Sequence, residues 1–209
     1  MTVQAIFQAV LDFKKDGIAE IVQTELATGT PIETILNHGL IAAMDEVGKQ
    51  FSQGALFLPE MMMAAQTMKS GLEILRPILV KTDVKPRGTL VIGTVKGDLH
   101  DIGKNLVTMM LEGVGFRVLD LGVDVKTEAF LSAVKDNGAD FLGLSALLTT
   151  TMPAMEETIK RIRKQNPSVK VMIGGAPVTQ EYARRIGADG YSGDAAGAVA
   201  LAKQWVSQQ

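Results

Sequence analysis

Asp98, His100 and Gly103 fall in the segment Thr94-Val95-Lys96-Gly97-Asp98-Leu99-His100-Asp101-Ile102-Gly103, directly after an apolar, strand-like run. The chain has two histidines, and the other is His38. A carboxylate two residues before an imidazole can accept one ring N–H, which fixes the tautomer and leaves the second nitrogen free for a metal or a proton. Gly103 removes a side chain where something large must approach the backbone. Asp and His are also ordinary loop residues, and the same pair makes a capped, solvated turn. Position favours chemistry: the loop joins the first strand of an α/β pattern to its first helix, the edge at which open parallel sheets bind ligands.

Composition bounds what such a site can use. The 209 residues are 46% hydrophobic and 21% charged, with a formal charge of −2, so there is a real core and no basic footprint for nucleic acid. Zero cysteines exclude disulfides, thiolate metal sites and cysteine nucleophiles together. Redox or metal chemistry must therefore come from a bound cofactor. No apolar run has the length of a bilayer span, and the amino-terminal residues lack the basic region and cleavage pattern of a signal peptide. The expected location is the cytoplasm, with no membrane partner.

The elements that must position the loop change character along the chain. Residues 1–80 are patterned as helix, with Ile6, Val10, Leu11 and Phe13 on a first helix, a break at Asp16-Gly17, and Ile18, Ile21, Val22 and Leu26 on a second. Gly29-Thr30-Pro31 leads into a third helix with Thr30 as N-cap, Pro31 in its first turn and Glu33 as N3 partner. A fourth begins near Leu58-Pro59-Glu60, giving a four-helix bundle. Lys81 to Arg87 is polar, contains a proline and reads as a linker. Residues 88–209 then alternate short strands (89–95, 116–121, 140–145, 169–173, 189–192) with helices (101–114, 126–137, 152–165, 178–187, 194–207). This predicts an α/β fold: a flavodoxin-like, or Rossmann-like, five-stranded parallel sheet of order 2-1-3-4-5. Its switch point lies between strands 1 and 3, so the His100 loop faces Ser145-Ala146-Leu147 and the residues that follow.

The end of strand 4 adds Gly174-Gly175, which fits either a tight turn or a ligand-facing edge. In order, the chain carries Asp98-x-His100-x-x-Gly103, then Ser145-x-Leu147, then Gly174-Gly175, each at a strand end. This combination resembles the cobalamin-binding signature shared by methionine synthase, B12-dependent mutases and the corrinoid proteins of methyltransferase systems. The resemblance extends into the first 80 residues, where Met44-Asp45-Glu46-Val47-Gly48-x-x-Phe51 and Phe57-Leu58-Pro59-Glu60 are similar to the helical cap that precedes the B12 domain of methionine synthase.

The resemblance implies a cap (1–80), a linker (81–87) and a cobalamin-binding domain (88–209). It implies a corrinoid cofactor, methylcobalamin with its cobalt, whose lower axial ligand is His100, backed by Asp98 and, at the position of a relay serine, Thr151. Asp101, Ile102 and Gly103 would line the loop. Ser145, Leu147, Thr149, Gly174 and Gly175 would flank the displaced nucleotide tail, where small residues make room, Leu147 gives an apolar wall and Thr149 a hydroxyl. Phe57 and Met61, with Met62 and Met63, would lie over the methyl-bearing face and exclude water, although methionine-rich helical stripes also serve as core filler. His38 reads as surface or packing. Because a cap over that face must move, 81–87 is the candidate hinge.

The implied role is a non-catalytic methyl carrier. A substrate-specific methyltransferase for a methylamine, methanol or methoxyaromatic donor would load the cofactor. A second methyltransferase would pass the methyl group to tetrahydrofolate or a thiol, and a reductive activator would rescue oxidised cobalt. Two alternatives stay open on sequence: a B12-dependent sensor, which needs a DNA-binding module that an acidic chain starting at the bundle does not offer, and the small subunit of an adenosylcobalamin mutase, which generally lacks the helical cap.

Overall fold

The computed structural model describes residues 3–79 and 86–208. The chain divides into two compact units, a helical one up to residue 85, with which Gly113–Gly115 is grouped, and an α/β one made of Pro86–Glu112 and the residues from Phe116 onward. Most of the expected hinge, residues 81–85, lies outside the described residues.

The helical unit has four rods. They are α1 (Val3–Leu11), α2 (Lys15–Ala27), a third rod built from α3 (Ile32–Thr34), a π-helical stretch (Ile35–Ile41) and α4 (Ala42–Ser52), and α5 (Leu58–Leu79). Apolar residues at helical spacing bury one stripe of each rod, with Ile6, Ile18, Leu40, Met44, Met61 and Leu75 among the fully enclosed side chains. Two local expectations are corrected. The first break is at Asp12–Lys14, where Phe13 takes a positive φ of 57° and Lys14 N bonds back to Ala9 O, while Asp16 and Gly17 lie inside α2. Thr30 does not cap the third rod: the N-cap is Pro31, without a side-chain bond, and the Thr30 hydroxyl donates instead to Glu25 Oε2 at 3.0 Å. The π-helical stretch carries Gly39 against α1, where a Cβ would stand 3.0 Å from Ile6 Cγ2. Its wider turn therefore includes a point of close approach between two rods.

The second unit is β1 (Thr89–Thr94), α6 (Ile102–Gly113), β2 (Arg117–Asp120), α7 (Thr127–Asn137), β3 (Phe141–Ser145), α8 (Pro153–Gln165), β4 (Lys170–Gly174), α9 (Gln180–Ile186), β5 (Gly190–Ser192) and α10 (Ala195–Val206). All pairings are parallel and the order is β2-β1-β3-β4-β5, as the alternation predicts. Every residue of β1 is buried, as a central strand covered on both faces requires. Alternation along β3 sends Leu142 and Leu144 into the core with Phe130 and Ile159, and Phe141 to the opposite face, where it stacks on Trp205.

What matters for the site is where the strands stop. The register pairs Thr94 with Ser145, Ser145 with Gly174, and Gly174 with Ser192. Four strands thus end level at their carboxyl edge. Chain leaving β1 turns to β2 on one side, while β3 lies on the other, and this reversal opens the crevice between the loops after β1 and β3.

Candidate functional site

Asp98 is the centre of the crevice. Its side chain is fully buried, and both carboxylate oxygens are filled. Oδ1 accepts from the His100 backbone N–H (3.1 Å) and lies 2.8 Å from His100 Nδ1. Oδ2 accepts from the Leu147 amide (2.8 Å), the Leu148 amide (3.2 Å) and the Thr151 hydroxyl (2.7 Å). One side chain after β1 therefore organises the whole turn after β3.

Charge and protonation follow from this geometry. Burial alone would raise the Asp98 pKa, but the Thr151 hydroxyl, the Leu147 amide and the His100 ring and amide outweigh it and hold the carboxyl far below the usual carboxylate range. Ionised Asp98 is acceptor-only, so Nδ1 of His100 carries a hydrogen, and Nε2 is the ring nitrogen left to meet a ligand. The His100 side chain is about half exposed, at 51%. The Thr94 hydroxyl, buried at the end of β1, donates to the His100 carbonyl at 2.7 Å and pins the backbone beneath the ring.

The remaining expected residues are placed as follows. Asp101 is exposed and accepts from Asn105 Nδ2 at 3.0 Å. Ile102 and Leu99 flank His100 with apolar side chains 74% and 73% exposed. A Cβ on Gly103 would meet nothing within 4 Å, so the space before it is open. Leu147 and Thr149 are exposed on the loop after β3, and Ser145 is half-buried. Gly174 and Gly175 have a reason for their size besides a ligand: a Cβ on Gly175 would sit 1.8 Å from the Ala146 carbonyl oxygen, and one on Gly174 3.0 Å from that of Ser192. Gly175 also has φ +126°, so the β4 turn needs glycine there to lie against the β3 loop.

In the helical unit, Phe57 is 71% exposed, just before α5, and Met62 and Met63 are partly exposed. Met61 is fully enclosed. Consecutive helical residues point about 100° apart, so a run of three methionines must turn one inward. His38 is exposed on the π-helical stretch.

Sequence reasoning missed Thr94, Lys104, Asp120 and Asp124, all of which hold the His100 loop. No spacing betrays them, because each acts through the register of neighbouring strands rather than through a local motif.

The donor set suits a particular kind of metal. Among the described residues no group of three His, Cys, Asp or Glu side chains could hold a bare ion. One imidazole nitrogen, fixed by a buried carboxylate and surrounded by exposed apolar side chains, fits a metal that brings its own equatorial ligands in a large, partly apolar ring. No helix among the described residues is long and apolar enough to cross a membrane.

Comparison with known proteins agrees in kind. Two sequence families, each described as a B12 binding domain, match residues 2–76 and 88–201. The dimethylamine corrinoid protein 1 of Methanosarcina acetivorans is 44% identical over 204 residues, covering 96% of this chain and 95% of that one. Among solved structures, a methanol:cobalamin methyltransferase complex from Methanosarcina barkeri superposes with a TM-score of 0.90 at 31% identity, covering 99% of this chain and 80% of the matched one. A cobalamin-binding protein from Desulfitobacterium hafniense superposes with a TM-score of 0.80 at 32% identity, covering 98% of each chain.

Proposed function

This chain belongs to the family of B12-binding corrinoid proteins, and from that premise we propose that it carries a methyl group between two methyltransferases. One partner takes the group from a methylamine, methanol or methoxyaromatic donor, and the other passes it to tetrahydrofolate or a thiol. The observation that carries the reading is the His100–Asp98 pair, with Nδ1 engaged at 2.8 Å by a buried carboxylate and Nε2 outside that contact at the sheet's switch point. A reductive activator is the third expected partner, and the cytoplasm the expected site of action.

When bound, the corrinoid supplies a cobalt centre that accepts a methyl group and surrenders it to a nucleophile. His100 is the residue assigned to the cobalt, through Nε2. Asp98 orients the ring and, being held ionised, accommodates a positive imidazole without taking the proton itself. Thr151 donates to the far oxygen of Asp98, which keeps the carboxylate from rotating away from His100.

Leu99 and Ile102 give the ring an apolar seat beside His100. Ser145, Leu147, Thr149, Gly174 and Gly175 flank the level strand ends where the nucleotide tail is expected, and Asp101 and Gly103 complete the loop. Phe57, which is exposed, and Met61, which is enclosed, are the corrinoid contacts expected from the helical unit. The 44% identity to a dimethylamine corrinoid protein favours a methylamine donor over methanol.

The test is the ultraviolet–visible spectrum of protein incubated with hydroxocobalamin, compared with His100→Ala, followed by chemical reduction and addition of methyl donors with candidate methyltransferases. A His100-dependent spectrum supports the ligand assignment, and methylation of the reduced cofactor with only one partner names the donor. Failure to bind any corrinoid overturns the reading.

A further inference from the structure

We propose that the connection from β2 to α7 is a brace that positions the axial histidine, with Asp124 and the Asp120–Lys104 pair as its two anchors. The inference deepens the reading above and rests on His100 as the cobalt ligand.

The first anchor grips the loop ahead of the histidine. Asp124 Oδ1 accepts the Gly97 amide at 2.7 Å, and the Asp124 amide donates to the Asp98 carbonyl at 2.9 Å. Both ends of the Gly97–Asp98 step are thus held by a single residue. Asp124 does this with φ +52°, one of two non-glycine residues with positive φ among those described. Side chains avoid that region, and a residue stays there only where its surroundings over-determine it. Asp and Asn tolerate it best, which matches the residue found.

The second anchor grips the chain after the histidine. Lys104, four residues beyond His100, has a side chain only 2% exposed and donates to Asp120 Oδ2 and to Asn105 Oδ1. A lysine buried to that degree is retained only if paired. Asp120 Oδ1 accepts the Gly122 amide at 2.8 Å, so the carboxylate also sets the start of the same turn. Between the anchors, Thr94 N bonds to Gly122 O (2.9 Å) and Val125 N to Thr94 O (3.0 Å), joining the turn to the strand end that carries the site.

The brace thus acts from the β2 side, while Leu147, Leu148 and Thr151 act on Asp98 from the β3 side. Each clamp fixes a different part of the loop. The β3 clamp sets the carboxylate, and the β2 brace sets the peptide on which Asp98 and His100 ride. Without the Asp124 side chain the Gly97 amide loses its acceptor, the 96–97 peptide that leads into Asp98 can rotate, and ordering it becomes a cost of ligation. Asp124 is therefore a positioning residue.

The experiment uses full-length protein carrying ¹⁵N-labelled histidine, loaded with cob(II)alamin and read by electron paramagnetic resonance. Histidine on cobalt gives a doublet splitting, and the cofactor's own base a triplet, so the spectrum yields the ratio of histidine-on to histidine-off protein. Asp124→Ala and Lys104→Met are expected to lower that ratio about tenfold, as loss of a charged hydrogen bond predicts. Asp124→Asn, which keeps an acceptor oxygen and tolerates positive φ, is expected to restore it. Asp124→Gly relieves the backbone while removing the acceptor, so its melting temperature should hold while the ratio falls, a split that a purely structural role does not produce. Hydrogen exchange in the protein without cofactor should show the Gly97 amide deprotected in both acceptor-less variants. A doublet that Asp124→Ala and Asp124→Gly leave at wild-type intensity overturns the brace alone. A wild-type spectrum with no doublet overturns the ligand reading, and the brace with it.

Discussion

Replacing Thr151 by valine deletes one donor to Asp98 while leaving nearly the same volume in a buried position. The hydroxyl lies 2.7 Å from Asp98 Oδ2, and the carboxylate keeps the Leu147 and Leu148 amides on that oxygen and both His100 donors on the other. Loss of a hydrogen bond to a charged group costs about 1.5–3 kcal/mol, so the α/β unit should lose about 2 kcal/mol at pH 7. The sign of the pH dependence follows from the depressed Asp98 pKa. Stability from such a group is present above the unfolded value, about 3.9, and is lost as pH falls toward the folded value. The unfolded value is common to both proteins, so their difference depends only on the two folded values: Thr151→Val raises one of them but leaves it well below the ordinary range, and the difference should hold from neutrality down to about pH 4 even as both proteins lose stability toward acid. Urea denaturation at pH 7 and pH 4 measures it. Thr151→Ser keeps the hydroxyl and should stay within about 1 kcal/mol, the worth of one buried methyl. Equal stability of wild type and Thr151→Val at pH 7, or a difference already lost at pH 4, would refute the reasoning.

Gly175→Ala should destabilise the α/β unit by about 3 kcal/mol or more, since its Cβ would lie 1.8 Å from a backbone oxygen at a φ side chains avoid; a melting temperature within a few degrees of wild type contradicts this. Phe130→Ala should cost about 3–5 kcal/mol in urea denaturation, because the ring is fully buried beneath β1 and packs over Gly93. Ser145→Leu, in the row of level strand ends, should weaken cobalamin binding measured by calorimetry without lowering thermal stability, and unchanged affinity would remove Ser145 from the tail groove.

The α/β topology was legible because its signals are local and repeated: short apolar runs between amphipathic helices leave few parallel arrangements. Expected bounds of those strands and helices differ from the observed ones by no more than two residues. Asp98 and His100 were legible for the same reason, as both partners sit two positions apart in one loop. Thr151 was reached only through resemblance, since 53 positions separate it from Asp98 in the hydrogen bond they share. What stayed hidden depends on side-chain direction or on unusual backbone. The turn at Phe13 uses positive φ without glycine, so no residue type announces it. Thr30 had the right chemistry to cap a helix, but a nearby carboxylate took its hydroxyl. Met61 shares its residue type with two exposed neighbours, and only packing shows which one points inward. Asp124 follows an ordinary Gly-Val pair and carries no mark of its role.

The reach of Asp98 across the crevice also bears on how the molecule is made. Its carboxylate accepts from residues 49, 50 and 53 positions further along the chain. Contacts that distant form only after the intervening segment has been ordered, so they come late. During synthesis His100 emerges well before the turn that fixes its partner, and the imidazole has no oriented carboxylate until β3 has docked beside β1. A chain halted between His100 and Thr151 holds the ligating histidine but not the complete site. Cofactor capture is thereby deferred until most of the sheet exists, and a half-made protein has little means of sequestering a scarce corrinoid.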